Sequence, residues 1–206
     1  MQTNVHGTAL APSLLPASGD RTLAETALVL VGTAILVISA KISVPFYPVP
    51  MTLQTLAVMA IAAAYGMRLG TLTVVAYLAE GFLGLPVFTA TPPAAAGPLY
   101  FLGPTGGFLA GFILLALIVG YVADRGWDRS FIRLFAAMIV ADVVVFVLGF
   151  AWLALFAQAG GHTGIGYAGA WTYGVAPFLL GDLLKIALAA ALLPASRGLL
   201  GSPTRG

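Results

Sequence analysis

Apolar residues run along this chain in six long blocks with few polar interruptions. They cover roughly residues 23–40, 51–67, 69–88, 105–123, 131–157 and 171–193. Each block is close to the roughly 17–25 residues with which an α-helix crosses a bilayer. The second is short and fits a tilted or half-buried helix. The pattern predicts an all-α integral membrane protein of six transmembrane helices, occupying residues 21–198 as one membrane domain. Six crossings place both ends of the chain on the same side.

The polar positions set the orientation. The seven arginines are Arg21, Arg68, Arg125, Arg129, Arg133, Arg197 and Arg205. In a six-span arrangement all seven fall in the tails, between spans two and three, or between spans four and five. Those places share one face, and the positive-inside rule makes it cytoplasmic. Residues 1–20 contain Pro12, Pro16 and Gly19 and lack periodicity, which reads as a flexible cytoplasmic tail. Residues 199–206 form a second cytoplasmic tail. The expected location is the bacterial cytoplasmic (inner) membrane, multi-pass, with lipid as the surrounding partner.

Three connections are left for the outer face. Residues 41–50 (KISVPFYPVP) carry three prolines, and residues 89–104 (TATPPAAAGPLYFLGP) are apolar and proline-broken. Both are too apolar for ordinary exposed loops. Irregular backbone at membrane depth is tolerated where it lines a cavity or is buried in protein, so these segments read as lids over a cavity. Residues 158–170 are glycine-rich and read as a flexible connection. Gly103, Gly107 and Gly111, and also Gly66 with Gly70, repeat every fourth residue, a spacing that allows close helix approach. Such faces pack the bundle internally or dock a partner subunit.

Composition agrees with this layout and removes several functions. The 206 residues are 60% hydrophobic and 8% charged, with mean hydropathy +1.02. Soluble domains carry roughly 25% charged residues. No cysteine is present, which excludes disulfides and thiolate metal sites. His6 and His162 stand far apart, with no carboxylate motif beside either, and no metal site is expected. The net charge of +2 gives no reason to expect nucleic acid as a partner. Residues 164–169 match G-x-G-x-x-G but follow no strand, and no G-x-x-x-x-G-K-[ST] occurs. The chain is therefore read as a protein without its own ATPase site and not as an enzyme.

Charges inside the apolar blocks are the candidate chemistry. Ionisable groups at membrane depth cost a few kcal/mol or more each and usually mark a ligand or ion pathway. Asp182 and Lys185 lie three apart on one helix face of the last block. A helix running inward from about Trp171 puts Asp182 about ten residues in, roughly 16 Å deep. The bland reading is a buried ion pair, which is a poor stabiliser once desolvation is counted. The sharper reading makes both ligand groups, with Lys185 donating to an oxygen and Asp182 accepting from N–H groups. Lys41, Glu80 and Asp142 are the other embedded charges. Snorkelling alone would explain Lys41, and Asp142 fits a structural or a functional role equally.

Four motifs then carry a resemblance. Residues 50–56 (PMTLQTL), 84–88 (GLPVF), 103–112 (GPTGGFLAGF) and the G-D-x-x-K at 181–185 occur in the order seen in the BioY-type biotin transporters, and the chain is similar to that family over about residues 23–193. Those proteins are substrate-capture (S) components of energy-coupling-factor (ECF) transporters. The resemblance implies high-affinity biotin binding and uptake. It also implies partnership with a transmembrane coupling protein and cytoplasmic ABC-type ATPases, and no cofactor beyond biotin as the transported ligand. It carries Asp182 and Lys185 over as biotin contacts, together with the turn from Gly103 to Gly107, including Thr105 and Gly106. Tyr47, Tyr100, Phe101 and Trp152 are candidate walls for an apolar ring, and Gln54 with Thr52 are further polar candidates. The sole asparagine is Asn4 and every arginine is assigned inside. Lys41, Lys185, or water and backbone N–H groups are left to meet a carboxylate. The alternatives are an S component for another vitamin, a proton-coupled secondary carrier using Asp142, Glu80 and Asp182, and, last, an intramembrane enzyme.

Overall fold

A computed structural model describes residues 21–92, 96–159 and 161–200. Both tails expected from the sequence, 1–20 and most of 199–206, lie outside the described residues, as does Arg205. Helix α1 spans Arg21–Lys41 and α2 Gln54–Phe82; a short α3, Pro98–Leu102, precedes α4, Gly106–Asp124. A 3₁₀ turn at Trp127–Arg129 leads to α5, Phe131–Leu155, followed by α6, Gly166–Gly174, and α7, Leu179–Leu200. Two small antiparallel hairpins complete the chain: β1 (Ser43–Val44) with β2 (Met51–Thr52), and β3 (Gln158–Ala159) with β4 (His162–Thr163). Among the described residues, five helices are long and apolar enough to cross a membrane: α1, α2, α4, α5 and α7.

Helix α2 is not one rod. Gly66 has φ 79° and ψ 179°, a conformation open essentially to glycine alone. The chain folds back there. Gln54 Nε2 donates to the Tyr77 hydroxyl at 2.7 Å, whereas 23 residues of straight helix would separate them by roughly 35 Å. A Cβ placed on Gly70 would stand 2.9 Å from the Cα of Ala62. Arms 54–65 and 67–82 therefore pack antiparallel. The turn is fastened to the end of α4, where Asp124 Oδ2 accepts from the Met67 N–H at 2.9 Å.

Among the described residues, Arg21, Arg68, Arg125, Arg129 and Arg133 collect at the pole that holds this turn. Glu25 meets Arg21 at 3.0 Å and Arg68 at 3.5 Å, and Arg125 stacks over Tyr121. Arg129 lies in the connection between α4 and α5, and Arg133 in the first turn of α5. Lys41, the β1–β2 hairpin and residues 83–92 and 96–105 occupy the opposite pole.

The core is built by α2, α4, α5 and α7 around Met59, Leu115, Leu134, Met138 and Ile186, all nearly inaccessible. The small residues of α4 serve internal contact. A Cβ on Gly107 would lie 2.3 Å from Trp152 Cβ, and one on Gly111 would lie 2.9 Å from Val145 Cα, so α4 and α5 approach backbone to side chain. Gly66 and Gly70 are not a docking face, since they form the fold-back. Large apolar residues such as Leu30, Ile38, Val143 and Leu184 face outward, as expected of helix faces bathed in hydrocarbon.

Two expectations need correction. The last span does not begin near Trp171. The Gly174–Phe178 stretch contains Pro177 and separates α6 from α7, because proline cannot donate its missing N–H to a continuing helix. The glycine-rich segment 158–170 is not featureless, since it forms the β3–β4 hairpin and the start of α6.

Candidate functional site

Starting α7 at Leu179 puts Asp182 in the first turn of that helix, not ten residues down it. A carboxylate there is favoured by the helix dipole and the unpaired N–H groups of the first turn. Asp182 and Lys185 are 6% and 7% exposed. Lys185 Nζ donates to Asp182 Oδ1 at 2.6 Å. The i,i+3 spacing read from the sequence thus produces a direct buried pair.

The pair forms one side of an open-mouthed cavity walled by several separate segments of the chain. The β1–β2 hairpin contributes Val49, Pro50 and Thr52, and the start of α2 contributes Gln54 and Thr55. Phe88, Thr89 and Tyr100 come from the connection between α2 and α4, and Thr105, Phe108, Leu109 and Phe112 from the opening of α4. Val145, Phe146 and Phe178 close the far side. Six aromatic rings and a few convergent polar groups suit a compact ligand with an apolar body and polar edges.

Of the sequence candidates, Asp182, Lys185, Gln54, Thr105, Tyr100 and the secondary Thr52 meet in this cavity. Gln54 is already engaged: Nε2 donates to Tyr77, and Oε1 accepts from Thr52 Oγ1 at 3.3 Å. Gly103 borders an adjoining hollow with Pro104, Leu99 and Pro48. Gly106 shapes the turn from behind, where a Cβ would lie 2.0 Å from the Phe101 carbonyl oxygen. Only glycine lets α4 open so close to α3.

Lys41 does not line the cavity. Its ammonium donates to the carbonyls of Pro86 (2.8 Å), Phe88 (2.6 Å) and Thr91, with Thr91 Oγ1 at 3.3 Å. The proposed walls also change. Tyr100 lines the cavity, but Tyr47 is 77% exposed. Phe101 packs on Phe88 and Phe82, and Trp152 Nε1 donates to the Gly103 carbonyl at 2.9 Å, holding the turn. The sequence reading missed Phe88, Phe108, Phe112, Phe146 and Phe178. Phe88 lies inside the quoted GLPVF segment and Phe108 and Phe112 inside GPTGGFLAGF, so the motifs held the signal.

Asp142 lies on α5 one turn before Val145 and is 5% exposed. It is close enough for charge interaction with Asp182 and Lys185, yet its Oδ1 has no hydrogen-bond partner among the described residues. Glu80 lies on the outer part of the second α2 arm, away from the cavity lining.

Comparison with known proteins bears on this architecture. A model of the BioY family matches residues 11–202. The chain is 35% identical over 160 residues to the biotin transporter BioY of Thermotoga maritima, covering 78% of this chain and 88% of that protein. It is 33% identical over 174 residues to a probable biotin transporter BioY of Pyrococcus horikoshii, covering 84% of this chain and 96% of the relative. The crystal structure of an S-component for biotin from an ECF-type ABC transporter superposes with TM-score 0.73 at 23% identity, over 89% of this chain and 95% of that one. The fold is shared across that distance, and with the family match over nearly its whole length, this chain belongs to the BioY family.

Proposed function

We propose that this protein binds biotin in the Asp182–Lys185 cavity and is the substrate-capture subunit through which biotin enters the cell. The observation that carries this reading is the meeting of a buried acid–base pair with aromatic walls in one cavity at the pole opposite the arginines. Biotin has an apolar bicyclic body, a ureido edge with two N–H donors and one carbonyl, and a carboxylate tail. Asp182 accepts the ureido N–H groups, Lys185 donates to an oxygen, and the phenylalanines enclose the ring. Thr105, at the opening of α4 beside the free N–H groups of a helix start, and Tyr100 of α3 take the remaining polar edge.

Six crossings follow from counting the two arms of α2 separately. The arginine pole then faces the cytoplasm and the cavity faces outward. The hairpin 43–52 and the connection 83–105 act as lids: Val49, Pro50, Phe88 and Thr89 lie over the cavity, and Phe46 packs edge-on against Phe178 at 6.1 Å. Energy comes from partner ATPases through a membrane coupling protein, as the family resemblance implies; the matched S-component belongs to an ECF-type ABC transporter.

The test is a titration of purified protein with biotin beside thiamine and riboflavin. Saturable, stoichiometric biotin binding that Asp182→Asn weakens by about 100-fold, equal to some 2.7 kcal/mol, is expected. Preference for another vitamin would reassign the ligand and leave the fold reading intact. Asp142 beside the pair is the one observation favouring a proton-coupled carrier, and uptake that persists without ATP but collapses with the proton gradient would select it.

A further inference from the structure

Residues 86–91 form an irregular strip of backbone along the cavity. Val87, Phe88, Thr89 and Thr91 are all buried, so their carbonyls require donors. Thr91 Oγ1 donates to the Phe88 carbonyl at 2.6 Å from within the strip, and side chains from elsewhere supply the rest. Tyr77 donates to the Val87 carbonyl at 3.2 Å and Tyr100 to the Thr89 carbonyl at 3.0 Å. The carbonyls of Pro86, Phe88 and Thr91 all converge on the Lys41 ammonium. An ammonium has three donors, and here three carbonyls take them, leaving none for a ligand carboxylate.

We propose that Lys41 is a positioning residue: its ammonium gathers three carbonyls and fixes segment 86–91 as a cavity wall, so that it governs how long a ligand stays without touching it. Phe88 is the part of the wall at stake. It stacks on Tyr100 at 4.6 Å, meets Tyr77 edge-on at 5.3 Å, and lines the cavity. Its ring lies where a Cβ on Gly81 would approach within 2.1 Å, so the second α2 arm leaves a slot for it. Loss of the ammonium strips the Pro86 and Thr91 carbonyls of this donor and leaves the Phe88 carbonyl held only by Thr91, through Oγ1 at 2.6 Å and the N–H at 3.4 Å. The strip must then turn them to water, which draws Phe88 and Thr89 away from the ligand.

The inference takes biotin as ligand from the proposed function, and its test separates the two. Biotin and biotin methyl ester are compared by dissociation rate from wild type, Lys41→Met and Lys41→Arg. The methyl ester lacks the charge that a direct Lys41 contact would read. A positioning role predicts that Lys41→Met releases both ligands at least about tenfold faster, with the acid-to-ester ratio unchanged, because charged hydrogen bonds are lost. Lys41→Arg, which keeps the cation, falls between. A ratio that collapses in Lys41→Met would show that Lys41 meets the carboxylate, and unchanged release would show that it holds no wall; either result overturns the proposal. Hydrogen exchange on ligand-free protein supplies an arm independent of biotin. Amides 87–91 should exchange at least about tenfold faster in Lys41→Met while α4 is unaffected. Equal protection of that segment refutes the clasp even if biotin proves to be the wrong ligand.

Discussion

Removing one member of the Asp182–Lys185 pair should harm the fold more than removing both. The two side chains are 8% and 9% exposed and 2.6 Å apart. Lys185→Met leaves the Asp182 carboxylate almost out of water and within charge-interaction reach of Asp142. Asp182→Asn leaves the ammonium in the same position. Breaking a buried pair from one side costs about 3–5 kcal/mol, whereas replacing both members is often neutral or stabilising. In a chain of this size 1 kcal/mol corresponds to about 2–4 °C in Tm, so each single variant should melt roughly 10 °C lower. The double variant, Asp182→Asn with Lys185→Met, should melt within a few degrees of wild type. Scanning fluorimetry of ligand-free protein in detergent gives the four values. Biotin titration of the same samples should separate stability from function, since all three variants lose affinity while the double regains its Tm. A double variant destabilised by the sum of the singles would refute the reasoning, because additivity would mean that the two groups act independently and not as a coupled buried pair.

Three further outcomes follow. Asp142→Asn should keep biotin affinity within about threefold, since an amide preserves the shape of a carboxyl group that makes no hydrogen bond through Oδ1; a large loss in titration would bring Asp142 into the site. Gly66→Ala should lower stability by about 1–3 kcal/mol, read as a Tm shift, because φ 79° with ψ 179° is closed to a side chain; no change would mean that the fold-back tolerates another conformation. The absence of cysteine permits single-cysteine mapping in cells. Arg129→Cys should react with a membrane-impermeant maleimide only after permeabilisation and Leu85→Cys without it, and the reverse pattern would invert the assigned orientation.

Much of this protein follows from its sequence because hydrocarbon is a demanding solvent. A run of apolar residues in a membrane satisfies its backbone only as a helix or a closed barrel, so the blocks at 105–123 and 131–157 correspond to α4 and α5 within two residues. Asp182 and Lys185 were legible for the same reason: a charge in such a run is costly, and helical spacing alone brings i and i+3 together. The split of α2 was legible too, as a break between two blocks, where Gly66 and Arg68 mark a turn. The start of α7 was open to a closer reading, since Gly174 and Pro177 punctuate the last block.

What the sequence by itself determined is thus local and periodic: the helices, the pole of positive charge, and the buried pair. Only the tertiary structure decided which oxygens Lys41 reaches, because its partners lie 45 to 50 residues away along the chain. Tertiary structure alone also decided that Trp152 braces the Gly103 turn and that Phe88, Phe146 and Phe178, from three separate segments, share one cavity. An aromatic or cationic side chain carries no sign of its distant partner in its own neighbourhood. Its role is set by which backbone carbonyls and which gaps between helices the packed bundle leaves within its reach.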